Sequence, residues 1–140
     1  MVSHAMTSAE LAAAGRALYG ERWQSPLARA LGLSDRHMRR LVAGERAITE
    51  ETALAIERLL ARRRADQALD EIERLSAEHG APAEIALTEG RDEVGRRATE
   101  LVAEALRARG ITVTIEPVRG DLADPARRAA AAALSRRRRG

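Results

Sequence analysis

Residues 25–45 read SPLARALGLSDRHMRRLVAGE, a run in which short apolar side chains recur on either side of Gly32. Ser25 suits a helix N-cap and Pro26 the first helical position, where its missing N–H removes a donor that has no intrahelical partner anyway. Leu27, Ala28 and Leu31 then share one face, and Gly32 can end the helix with positive φ. Ser34 is placed to cap a second helix over 34–43, with Met38, Leu41 and Val42 on its inner face. Arg36, Arg39 and Arg40 fall on the outer face, and Gly44 stops the helix.

Outward from this stretch the chain stays helical. TSAE at 7–10 has the form of a capping box, with the Thr7 hydroxyl accepting an early N–H and the Glu10 carboxylate reaching back. Leu11, Ala14 and Leu18 follow at helical spacing as far as Gly20. Residues 1–6, MVSHAM, read as a remnant ahead of a second start at Met6, outside the fold. On the other side, Thr49 with Glu50 and Glu51 opens a long helical run toward Glu78, the acids sitting where the helix dipole favours anions. Ala53, Ile56, Leu59 and Leu60 close a small core. ARRRADQA at 61–68 has no large apolar residue and is expected to be exposed, as a connecting helix or a break. Leu69, Ile72 and Leu75 then resume a stripe suited to packing on a second chain.

The pattern changes after GAP at 80–82. EIAL reads as a strand, a helix follows from about Asp92 to Arg109 with Val94, Leu101, Val102 and Leu106 inward, and ITVTIEP alternates Ile111, Val113 and Ile115 with polar residues. This is a small βαβ-like unit. Two strands are rarely stable alone, so the sheet is expected to be completed by a second chain or by packing on the long helix. The organisation is therefore a mainly α chain: a helix-turn-helix bundle over 7–60, a connecting helix over 61–80, a small α+β dimerisation or partner-binding element over 81–118, and a basic, flexible tail over 119–140.

Charge narrows the class of partner. The net charge of +3 conceals two blocks, because residues 22–46 carry six Arg against Asp35 and Glu45, and residues 125–140 carry six Arg with no acid. The rest of the chain is acidic. Clustering of this kind is the electrostatic footprint of a polyanion partner. Every basic residue is Arg, which codon bias explains as readily as function. With no cysteine, disulfides and thiolate metal sites are excluded, and His4, His37 and His79 lack ligand spacing. No cofactor is implied. No Ser, His and Asp grouping, phosphate-binding glycine loop or paired-His motif points to catalysis; Glu89, Asp92 and Glu93 read as helix-start acids. Neither a leader peptide nor a membrane-length apolar run is evident, and a cytoplasmic location is the expectation.

Counted from Gln24, Ala28 is fifth, where two helices of a helix-turn-helix approach too closely for a larger side chain, and Gly32 is ninth, at the turn. Leu27, Leu31, Leu33, Met38 and Leu41 are fourth, eighth, tenth, fifteenth and eighteenth, all core-facing. Through these residues, roughly 8–60 resembles the Cro/CI-like (XRE) helix-turn-helix regulators, and ERWQSPLARALGLSDRHMRRLVAGERAI is most similar to the phage-borne, anti-CRISPR-associated repressors among them. The resemblance implies a lambda repressor-like bundle and a homodimeric, sequence-specific binder of double-stranded operator DNA that often represses its own operon.

The residues themselves suggest how DNA would be read. With helix 34–43 in the major groove, Ser34, Asp35, Arg36, Arg39 and Arg40 can reach base edges or phosphates, Arg36 and Arg40 being the preferred readers. Gln24 and Ser25 at a helix N-terminus suit a phosphate, with Arg29 and Arg46 as further phosphate partners. His37 can touch DNA but reads first as a surface histidine. Tyr19 and Trp23 read as core wedges, since a single-strand binder would show more exposed aromatics. Leu69, Ile72, Leu75, Ile111, Val113 and Ile115 are the candidate dimerisation residues. Two other classes fit the same features: an antitoxin-like module whose C-terminal segment holds a partner protein, and an RNA-binding regulator, because arginine-rich helices also dock on structured RNA.

Overall fold

The computed structural model describes residues 5–118; the tail arginines and most of MVSHAM lie outside them. The described chain is mainly helical, in the order α1 (Ser8–Tyr19), α2 (Gln24–Leu31), α3 (Asp35–Val42), α4 (Glu50–His79), β1 (Glu84–Thr88), α5 (Glu93–Ala108) and β2 (Thr112–Glu116). It divides into two compact units between Arg63 and Arg64, inside α4.

In the first unit each helix start has a visible cause. The Thr7 hydroxyl accepts from Glu10 N–H at 3.1 Å and Thr7 N–H donates to the Glu10 carboxylate at 3.2 Å, completing the capping box of α1. Ser34 Oγ accepts from His37 N–H at 3.0 Å, and Thr49 Oγ1 accepts from Thr52 N–H at 3.1 Å at the head of α4. The start of α2 differs from expectation. Trp23, not Ser25, occupies the N-cap, and it offers no side-chain cap. Its carbonyl accepts the first intrahelical bond from Leu27 N–H at 3.0 Å. Pro26 is therefore the third helical residue, still within the turn where a missing N–H leaves nothing unsatisfied.

The core of this unit gathers Leu11, Ala14, Trp23, Leu27, Ala28, Met38, Leu41 and Ile56, with Leu18, Leu31, Leu33, Val42, Leu59 and Leu60 packed at its margin. Met6 joins that margin, so the sixth residue of MVSHAM belongs to the fold after all. Trp23 is a wedge, as expected. Tyr19 is not, being 39% exposed near the end of α1. The Trp23 ring lies where a Cβ on Gly15 would sit, so α1 can approach it only with glycine at that position. Gly32 holds φ +70°, and Leu33 N–H donates to Ala28 O at 2.8 Å, closing the link between α2 and α3.

The second unit is a parallel two-stranded sheet with helices on one face. The register runs from Glu84 opposite Thr112 to Thr88 opposite Glu116. Asp92 caps α5 by accepting Gly95 N–H at 2.7 Å. Val102, Ala103, Leu106, Val113 and Ala65 form the buried core, joined by Ala68, Leu69, Ile72, Ile85, Leu87, Leu101, Ile111 and Ile115. Two expectations change here. α4 is unbroken through ARRRADQA, and although Arg62, Arg63 and Arg64 are exposed, Ala61 and Ala65 are buried. The stripe expected to meet a second chain packs mostly within its own unit: Leu69 and Ile72 join the core beside the sheet, and only Leu75 stays out, 42% exposed. Leu69 and Ile72 of the long helix thus share one cluster with Ile85, Leu87, Val113 and Ile115 of the strands. No helix among the described residues is long and apolar enough to cross a membrane.

Candidate nucleic-acid interface

Burial of Met38 and Leu41 fixes which way α3 presents the rest of its surface. Both are buried in the first unit's core, 0% and 2% exposed, so the residues between them and one turn earlier must face away. Arg36 and Arg39 are exposed, with Asp35 beside them in the first turn. Arg40 is half-buried. It still lies one turn from Arg36, at the i,i+4 spacing that brings two side chains to one face. His37 is half-buried; its backbone N–H serves the Ser34 cap. Ser34 and Asp35 are exposed, and Arg46 is exposed just beyond α3.

A second cluster forms at the start of α2. Gln24, Ser25 and Arg29 are exposed and line an open depression together with Glu21, Arg22 and Pro26. Because Trp23 provides no side-chain cap, the first N–H groups of α2 are left to solvent at the positive end of the helix. Arg22 is the member the site assignment missed. It lies outside any helix and follows no periodicity, and the only signal for it was its membership of the basic block.

The arginines of this region share an electrostatic property. Arg22, Arg29, Arg36, Arg39, Arg40 and Arg46 make no ion pair or side-chain hydrogen bond with any described residue. In the second unit Arg64 meets Asp92 at 3.4 Å, Arg74 meets Glu71 at 2.9 Å and Glu78 at 3.4 Å, and Arg96 meets Glu93 at 3.0 Å, while Arg91, Arg97 and Arg109 make no such pair with a described residue; what sets residues 22–46 apart is that six unpaired arginines fall within one short stretch. Glu45 and Asp35 lie within the basic block but neutralise none of its arginines by contact. The guanidinium groups of these six arginines thus keep their donors for an external acceptor, and the planar fork of each suits a phosphate or the O6 and N7 edge of guanine. Compared with protein-family models and with curated proteins, the chain matches none.

Proposed function

We propose that the protein is a sequence-specific double-stranded DNA-binding regulator of the Cro/CI-like helix-turn-helix class, acting as a dimeric repressor of the promoter it occupies. The observation that carries this reading is the set of six arginines within residues 22–46 that pair with no described residue, three of them on a capped helix whose opposite face is locked in the core. In this reading α2 and α3 form the motif, with Ala28 at the close approach and Gly32 at the turn. α3 enters the major groove, Arg36 and Arg40 read bases, Asp35 accepts from a cytosine amine, and Arg39 holds the backbone. The open N–H groups of α2, with Gln24, Ser25, Arg22 and Arg29, take a phosphate, and Arg46 takes another.

Two such helices related by a two-fold axis would address an inverted repeat with half-sites about 10 to 10.5 base pairs apart or a multiple of that. Repression follows by occlusion of polymerase. Mobility shift on the protein's own upstream region at two salt concentrations tests it. The expected result is a discrete complex that weakens steeply as salt rises, since counterion release supplies much of the affinity. A structured RNA that outcompetes the duplex would replace this reading with an RNA-binding one.

A further inference from the structure

The sheet of the second unit stops at two strands, and its two outer edges are not alike. Thr112 N–H donates to Ala83 O at 3.0 Å, and Glu89 N–H donates to Glu116 O at 2.7 Å. In a parallel ladder each strand bonds its neighbour through alternate residues. With the observed register, β2 therefore turns Thr112, Thr114 and Glu116 toward β1, while β1 turns Ile85 and Leu87 toward β2. The groups left on the outer edges belong to Val113 and Ile115 on β2, and to Glu84, Ala86 and Thr88 on β1.

The β2 edge is obstructed. Arg107 donates from Nη2 to the Val113 carbonyl at 3.0 Å, laying its side chain across the place a further strand would need. Among the described residues nothing comparable guards β1. Glu84, Ala86 and Thr88 are exposed, and no described residue bonds their outward backbone groups. An unguarded edge is a template for another strand, and a two-stranded sheet gains most from one.

We propose that this edge is filled by β1 of a second copy of the chain, antiparallel about a two-fold axis at Ala86, so that four strands run in the order β2, β1, β1 of the partner, β2 of the partner. Self-complementarity selects this occupant and this register. Outward residues must meet outward residues, and an axis at Ala86 sets Glu84 opposite the partner's Thr88, Ala86 opposite its own counterpart, and Ile85 opposite the partner's Leu87. All five strand residues are used, the apolar face continues across the junction, and no like charges oppose each other. The two Glu84 residues stand four positions apart along the sheet, about 13 Å at the ordinary rise and beyond the ~8 Å Debye length of physiological salt.

Neighbouring registers fail. An axis at Glu84 opposes two carboxylates, an axis at Ile85 sets Thr88 against Pro82, which has no N–H, and an axis at Leu87 leaves Glu84 beyond the strand. A five-residue edge buries less than the ~1,200 Å² of a stable interface, so the association is weak and concentration-dependent. It does not depend on what the first unit binds.

Three full-length single variants and sedimentation of the wild type test the proposal. The chain has no cysteine, so Ala86→Cys introduces the sole thiol at the axis, where opposed Cα atoms about 5.5 Å apart lie within disulfide range. It should form a disulfide-linked dimer on mild oxidation. Thr114→Cys, the cross-strand neighbour of Ala86, reports pairing through the β2 edge instead and should stay unlinked. Ala86→Pro removes an N–H that points only outward, leaving the β1–β2 ladder intact; it should keep the wild-type circular dichroism and raise the dimer dissociation constant at least about tenfold. A wild type that stays monomeric across the accessible concentration range, a dimer indifferent to Ala86→Pro, or crosslinking at Thr114→Cys in place of Ala86→Cys would each overturn it.

Discussion

At Gly15 a single methyl group decides whether α1 can lie against Trp23. A Cβ there would overlap the indole ring, and the ring is 3% exposed with nowhere to retreat. Gly15→Ala should destabilise the protein by about 1–3 kcal/mol despite the better helix propensity of alanine, measured as a lower urea midpoint at unchanged slope. Nothing in the sequence marked Gly15, since the contact joins two elements and leaves no local signature. Ser34 was legible, because its hydroxyl acts on the N–H three residues later; Ser34→Ala should cost about 0.5–2 kcal/mol in the same assay. Arg36 and Arg40 were assigned as base readers from spacing alone, and spacing could not reveal that Arg40 is half-buried. Arg36→Ala should relax operator preference in a binding-site selection without altering the melting temperature. An unchanged preference would remove Arg36 from the readers.

At the scale of elements, α4 marks where the reading from large apolar residues fell short. ARRRADQA carries none, yet Ala61 and Ala65 are fully buried, because a small side chain permits close packing as effectively as a large one fills space. Ala65 sits in the core of the second unit with Val102 and Leu106. Ala65→Leu should therefore destabilise that unit by about 1–3 kcal/mol, seen by hydrogen exchange as faster opening of α5 and β2 amides, with α1–α3 protection unchanged. The strands were readable from the alternation of Ile111, Val113 and Ile115. The inward Leu101, Val102 and Leu106 of α5 were readable too and share the strands' core; whether the stripe of Leu69 and Ile72 joins them was left open, because it fits a neighbour in the same chain as well as one in another.

Across the whole molecule, charge is the property on which the proposed function rests. The six arginines of residues 22–46 pair with no acid among the described residues, although acidic residues outnumber basic ones in the stretches on either side. The sequence ends the bundle at residue 60 and starts a connecting helix at 61, and the chain divides between Arg63 and Arg64, inside the unbroken α4; the change of periodicity after Gly80 marks the start of the strands and not the division itself. If about six phosphates are neutralised, affinity for a duplex should fall roughly a thousandfold between about 50 and 200 mM salt. The most direct test is selection of the full-length protein against a pool of random duplexes. The expected outcome is enrichment of an inverted repeat with G-containing half-sites, lost when Arg36 and Arg40 are both replaced by alanine. A pool returned unenriched, or one enriched identically by the double variant, would contradict it.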